Sequence, residues 1–197
     1  MNPNDDRDDG AIISASLRHP DLFAVIFDRH APYVHRYLAR RLGREVADDL
    51  VAETFLVAFD KRKRYDTART DARPWLYGIA TNLVGQHRRD EVKQFKLRNA
   101  VSPEPDVVSH AERVVAQVTA QAMSRLLHAA MAELSEGDRD VLLLIAWEGL
   151  TYDEVAVALG IPIGTVRSRL NRARKQVREA LDVPDRGTTA EEIRTHG

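Results

Sequence analysis

The stretch TYDEVAVALGIPIGTVRSRLNRARKQV, residues 151–177, constrains the fold more than any other part of the chain. It reads as a helix, a tight turn and a second helix whose outward face is almost wholly basic. Thr151 can cap the first free amides, Glu154 can reach back from three residues on, and Leu150 and Val155 hold the staple positions, so a helix begins at Tyr152. Val155, Ala156 and Leu159 form its apolar stripe. Gly160 permits a left-handed turn and Pro162 cannot continue the helix, which places a turn near residues 160–163. Ala156, Gly160 and Val166 have the spacing expected where two helices of a helix-turn-helix cross steeply. From Thr165 onward Val166, Leu170, Ala173 and Val177 share one stripe, leaving Arg167, Ser168, Asn171, Arg172 and Lys175 on the other side. That side suits duplex DNA: arginine forks to the guanine edge, asparagine pairs doubly with adenine, and the remaining cations neutralise phosphates. A solvated basic helix end is the bland alternative; the cap, the turn and the preceding helix together favour DNA.

At 197 residues the chain has room for two small domains, and 44% apolar with 30% charged residues is a soluble globular balance. The formal charge is only -1, so basic faces must be offset elsewhere, in part by Asp5, Asp6, Asp8 and Asp9. With no cysteine, disulfides, thiolate chemistry and cysteine-bound zinc are excluded. No apolar run approaches the roughly twenty residues of a membrane span, and the acidic start does not resemble a signal peptide. The expectation is a cytoplasmic protein with no direct membrane contact.

No alternating strand pattern appears, and the reading is all-α: two small helical domains on a flexible linker, the C-terminal one a helix-turn-helix domain. Residues 1–10 are expected as a mobile acidic tail. Phe23, Ile26, Phe27, Val34, Tyr37 and Leu38 mark a helical region bent or restarted at Pro32 and stopped by Gly43. A second helix spans residues 46–59 with Leu50, Val51, Phe55 and Ala58 inward, and a third begins at Pro74 after a polar loop over residues 61–73. The segment NAVSPEPDVVSH has the prolines, serines and acids of a linker. The expected division is therefore a first domain over 11–98, a linker over 99–110, a second domain over 111–183 and a flexible tail over 184–197. Within the second domain, helices are expected over 111–134 and 135–148, the latter capped by Ser135 and closed by Gly149.

In PWLYGIATNLVGQHRR, Trp75, Leu76, Ile79, Ala80, Leu83 and Val84 form a core face, while Gly78, Thr81, Asn82, Gly85, Arg88 and Arg89 share the other. Two interior glycines, each costing roughly 1 kcal/mol against alanine, imply close approach of another backbone, single-stranded nucleic acid being one candidate. Lys61, Arg62, Lys63, Arg64, Arg69 and Arg73 precede this helix, interleaved with Tyr65, Trp75 and Tyr77. Basic groups among aromatics suit backbone tracking and base stacking on a single strand, although Trp75 fits a core role better than a stacking platform.

Taken in order, DDLVAETFLVAF, RPWLYGIATNLVGQHRR, the linker and LTYDEVAVALGIPIGTVRSRLNRARKQV resemble an extracytoplasmic function (ECF) sigma factor over about residues 22–181. The resemblance implies a protein without catalysis or cofactor of its own. Such a protein directs bacterial core RNA polymerase to promoters and starts transcription, in a stress or envelope response. It implies that Asp48, Asp49, Leu50, Glu53 and Phe55 dock on the polymerase clamp. Arg73, Trp75, Asn82, Arg88 and Arg89 would recognise and melt the minus-ten element, holding the non-template strand. Thr165, Arg167, Ser168, Asn171, Arg172 and Lys175 would read the minus-thirty-five duplex. An anti-sigma factor is a further partner that the family suggests.

Asp49 and Glu53 stand one turn apart, but no histidine or third carboxylate is spaced to complete a metal site. The seven histidines are scattered, and no nucleophile elbow, phosphate loop or HExxH occurs, so an enzyme is not expected. The competing reading is a stand-alone helix-turn-helix regulator that binds duplex DNA as a dimer.

Overall fold

Asp8 sets where the first helix begins. Its carboxylate accepts the Ala11 amide at 2.7 Å and caps the first helix, α1 (Asp9–Ser16). The computed structural model describes residues 7–99 and 118–181, with side chains over 7–97 and 125–181. After α1 come a short 3-10 turn, α2 (Phe23–Leu42), α3 (Arg44–Lys61), α4 (Arg73–Asn99), α5 (Val118–Glu133), α6 (Glu136–Ala146), α7 (Tyr152–Leu159) and α8 (Ile163–Leu181). No strand occurs among the described residues.

The acidic tail expected over residues 1–10 is overturned at its last positions. Asp9 is buried, with Oδ2 2.7 Å from His30 Nε2 and accepting the Ala72 amide at 2.9 Å, while Oδ1 accepts Arg29 at 2.9 Å. Burial alone would lift this carboxyl, but the His30 ring, the Ala72 amide and the Arg29 guanidinium outweigh it and hold it at about 2.

α2 runs through Pro32 without the restart that the sequence allowed, because Val25, Ile26, Val34, Tyr37 and Leu38 bury one stripe on both sides of the proline. Each such side chain contributes about 1.5–3 kcal/mol on burial, which offsets the hydrogen bond Pro32 cannot donate. Gly43, at φ 87° and ψ 167°, then turns the chain directly into α3 in a conformation open to glycine. α3 and α4 pack on α2, and α1 closes one end.

α5 to α8 pack around Leu134, Val141, Leu144, Leu150, Val155, Val166 and Leu170. Arg139 donates to the carbonyls of Met131, Ala132 and Leu134, satisfying the end of α5. Ser135 accepts the Asp138 amide as the cap of α6, as its sequence implies, and Gly149 at φ 66° follows the helix end. The expected linker lies outside the described residues except for Asn99, as do residues 184–197 and the expected helix over 111–117.

Because Asp9 titrates lower in the folded chain than in the unfolded one, its stabilisation is complete above the unfolded value of about 4 and is lost as pH falls toward 2. Paired denaturant titrations of the wild-type protein and Asp9→Asn should show a stability gap that shrinks by about 2 kcal/mol over that interval. A gap independent of pH would mean that folding does not lower the Asp9 carboxyl.

Candidate nucleic-acid interface

Thr151 and Glu154 form the reciprocal cap expected of them: the Glu154 amide donates to Thr151 Oγ1 at 3.3 Å, and the Thr151 amide donates to Glu154 Oε2 at 2.7 Å. Gly160 follows at φ 63° and ψ 35°, and the Ile161 amide closes on the Ala156 carbonyl at 3.0 Å. α8 starts at Ile163, two residues before the expected Thr165, because the Val166 amide already bonds to Pro162. Val166, Leu170 and Ala173 are buried and Val177 is half-buried, so Arg167, Ser168, Asn171, Arg172 and Lys175 are turned to solvent with Thr165 half-buried at their edge.

The exposed side chains are not equivalent. Arg172 donates from Nε and Nη2 to the two oxygens of Asp138 on α6, at 2.9 and 2.8 Å. That fork is the geometry a guanine edge would need, so the carboxylate and a base compete for one guanidinium. The same hydrogen bonds hold the Asp138 carboxyl below its ordinary range. Arg167 and Asn171 lie one turn apart on the open face. Gly137 makes room for the neighbouring Arg169, whose guanidinium would lie 2.7 Å from a Cβ at that position.

In α4 the division expected from helical spacing is corrected at three positions. Thr81 is buried, its Oγ1 2.8 Å from the Tyr37 hydroxyl, instead of lying on the polar face. Gly78 is buried as well, and a Cβ built there would fall well inside 3.0 Å of the Ala158 carbonyl oxygen. The close-approaching backbone is therefore α7 of this same chain. At Gly85 the nearest atom to a built Cβ is Arg89 Nη1 at 3.3 Å, and no backbone approaches there. Asn82 and Arg89 are exposed, whereas Arg88 is half-buried and lines a cleft of about 540 Å³ with Arg41, Arg139 and Trp147.

The aromatics of this region are largely internal. Trp75 is half-buried, packed on the core with its ring 4.9 Å from that of Tyr65. Tyr77 is buried and donates to Glu148, the residue expected at the end of α6 and placed just beyond it. Burial, with Glu148 beside it, pushes the Tyr77 hydroxyl well above its ordinary range and keeps it a donor. Arg73 is held by Asp71 at 2.8 and 2.7 Å, at the mouth of the loop leading into α4.

On α3, Asp48, Asp49 and Glu53 are exposed, with Asp48 Oδ1 2.9 Å from His35 Nε2. Leu50 and Phe55, which the family resemblance placed on the same docking surface, are buried as helical spacing had them; Phe55 meets Phe27 edge-on at 4.9 Å. The apolar group presented beside the two carboxylates is Leu56, 62% exposed and one turn beyond Ala52 and Glu53. Helical spacing from Asp49 singles out this residue; the apolar count alone did not. Among the described residues no group of three or more His, Asp or Glu side chains is gathered to hold a metal, and no helix is long and apolar enough to cross a membrane.

The chain matches two families in order: Sigma-70 region 2 over residues 26–94 and Sigma-70 region 4 over residues 124–177. It is 34% identical to the ECF RNA polymerase sigma factor SigL of Mycobacterium tuberculosis, across 86% of this chain and 94% of that protein. It is 33% identical to the ECF RNA polymerase sigma factor SigE of Mycolicibacterium smegmatis, across 78% of this chain but only 59% of that longer relative. Among solved structures, RpoE of Bartonella quintana, crystallised with the anti-sigma factor NepR, superposes with a TM-score of 0.60 over 82% of this chain and 98% of that one. At 23% identity this likeness concerns the fold.

Arg172→Ala should lower the thermal unfolding midpoint, because it leaves the buried Asp138 carboxylate without its main partner. Arg167→Ala should leave the midpoint where it is. Equal midpoints for the two variants, read by circular dichroism, would mean that the Arg172–Asp138 pair does not hold α8 to α6.

Proposed function

The chain belongs to the ECF RNA polymerase sigma factors, and from that membership we propose that it equips bacterial core RNA polymerase to select promoters. In this reading α8 reads a duplex element upstream and α4 holds unpaired non-template DNA at the start region. What carries the reading is the ordered pair of matched regions, each with an exposed cationic surface: Arg167 and Lys175 on α8, Arg89 beside Asn82 on α4. Cations on both surfaces neutralise phosphates and supply affinity, while Asn171 and Arg167 carry base discrimination on the duplex. Arg172 first has to leave Asp138 and therefore contributes less to discrimination than Arg167 does.

Polymerase docking falls to α3. Asp49 and Glu53 are acidic, Leu56 supplies the apolar centre, and such a mixture suits a basic helical partner. Leu50 and Phe55 support that surface from beneath. Asn82 stands exposed on α4, and Arg73 and Trp75 lie in the first turn of that helix, where the preceding loop ends. Extruding a base costs a few kcal/mol, which hydrogen bonds to the exposed base edge and stacking can offset. A protein that silences this chain, as an anti-sigma factor would, has to cover the Asp49–Glu53–Leu56 surface to compete with polymerase.

Purified core polymerase supplemented with this protein should start RNA synthesis from a promoter with two separated elements, and neither component alone should do so. No initiation on any template would sink the reading, and tight binding of duplex DNA by the free protein as a dimer would replace it with a stand-alone regulator. Asp49→Lys combined with Glu53→Lys should weaken association with core polymerase roughly tenfold or more while leaving unfolding unchanged. Asn82→Ala should impair a duplex promoter more than a pre-melted one; equal loss on both would remove Asn82 from strand opening.

A further inference from the structure

Asp9 and Gly10 precede the first residue matched to region 2, yet they grip the loop that joins α3 to α4. The Asp9 amide donates to the Thr70 carbonyl at 3.1 Å, and Asp9 Oδ2 accepts the Ala72 amide at 2.9 Å. Gly10 lies flat against the same loop: a Cβ built there would sit 2.5 Å from the Thr67 carbonyl oxygen and 2.7 Å from that of Arg69. The Tyr65 hydroxyl also donates to the carbonyls of Arg69 and Asp71 at 2.9 and 3.2 Å.

The backbone of residues 67–72 is thereby held at Thr67, Arg69, Thr70, Asp71 and Ala72. The side chains of Asp66, Thr67, Ala68, Arg69 and Thr70 all remain exposed. A loop fixed through its carbonyls and amides, with its side chains exposed and Asp66 further tied to the Ala68 amide at 3.2 Å and to Arg69 at 3.4 Å, presents those side chains in one arrangement. This is what discriminating one base from another demands, since an adaptable loop would accommodate several. Arg29 and His30 of α2 hold Asp9 in place, so the grip is anchored in the bundle and does not depend on α1 alone.

We propose that Asp9 and Gly10 are positioning residues for base selection: they set the shape in which loop 66–72 meets a single unpaired base of the non-template strand. The assignment rests on the promoter reading above, and it extends the recognition machinery to residues that touch no DNA themselves.

The test uses the full-length protein assembled with core polymerase on forked promoter templates. Each unpaired position of the minus-ten element is replaced in turn by the other three bases, and the quantity read is the ratio of complex formed with the preferred and the substituted base. Gly10→Ala, which pushes a methyl group into the Thr67 and Arg69 carbonyls, should reduce that ratio roughly fivefold to tenfold at one or two positions. Upstream-element preference and affinity for core should stay unchanged. Asp9→Asn, which keeps an oxygen for the Ala72 amide, should retain more discrimination than Asp9→Ala. Ser14→Ala, on the exposed side of α1, should retain all of it.

A partly unfolded preparation lowers both members of a ratio alike, so lost stability does not imitate the effect. If Gly10→Ala does not assemble at all, the two Asp9 variants carry the same test. Unchanged ratios in variants whose Ala72 amide has lost its protection from hydrogen exchange would overturn the proposal. If the wild-type protein itself shows no base preference on the unpaired strand, the promoter reading fails first and takes this assignment with it.

Discussion

Arg41, at the end of α2, divides its guanidinium between two helices. One nitrogen donates to the Tyr37 hydroxyl at 2.6 Å and another lies 2.6 Å from Asp140 on α6, with the arginine side chain only 2% exposed. Tyr37 in turn meets Thr81 of α4 and stacks edge-on against Tyr77, which bonds to Glu148 beyond α6. Three charged side chains, Arg41, Asp140 and Glu148, and three neutral polar ones, Tyr37, Thr81 and Tyr77, thus lie where α1–α4 meet α5–α8, and their contacts with one another offset part of the cost of taking them out of water. The Arg40 guanidinium over the Trp147 ring, 5.4 Å from its centre, completes the seam on the solvent side. Removing one member would strand its partners without water, so the helices on both sides have their relative placement set by this chain of contacts.

That seam explains which surfaces stay available. α4 is covered on the Gly78 side by α7 and on the Thr81 side by α2, so over residues 73–89 the strip bearing Asn82, Gln86 and Arg89 is left for another molecule. On α8, packing of Val166, Leu170 and Ala173 leaves the opposite strip open, and Asp138 then takes Arg172 out of it. On α3, burial of Leu50 and Phe55 leaves Asp49, Glu53 and Leu56. In all three helices the functional strip is what remains after the core has taken its share, and it is narrower than helical periodicity alone implies.

The helix-turn-helix was legible almost residue by residue because its signals are local: Thr151 and Glu154 are three apart, and Gly160 reports a backbone angle that glycine tolerates. The two-part all-helical architecture was legible from periodicity. Long-range effects were not. Asp8 and Asp9 read as part of a charged tail, since the groups that make Asp9 a core residue, His30 and Ala72, are distant in sequence. Gly78 announced a close approach without saying whose backbone made it. Thr81 was placed on the polar face because spacing assigns a side chain to a face without telling how many neighbours that face has, whereas for Leu50 and Phe55 spacing pointed inward and only the family resemblance placed them on the docking surface. Beyond Arg89, α4 continues to Asn99 over a polar stretch with no core stripe from which its length could be read.

At Gly78 the two groups of helices are separated by no more than a hydrogen atom. Any larger side chain there is a wedge driven against the Ala158 carbonyl, and its thickness grows with residue size from alanine through valine. Most single-base changes in a glycine codon install such a wedge. The fit between the two groups of helices can therefore be loosened by small inherited steps at one position, while both DNA-facing strips keep their chemistry intact.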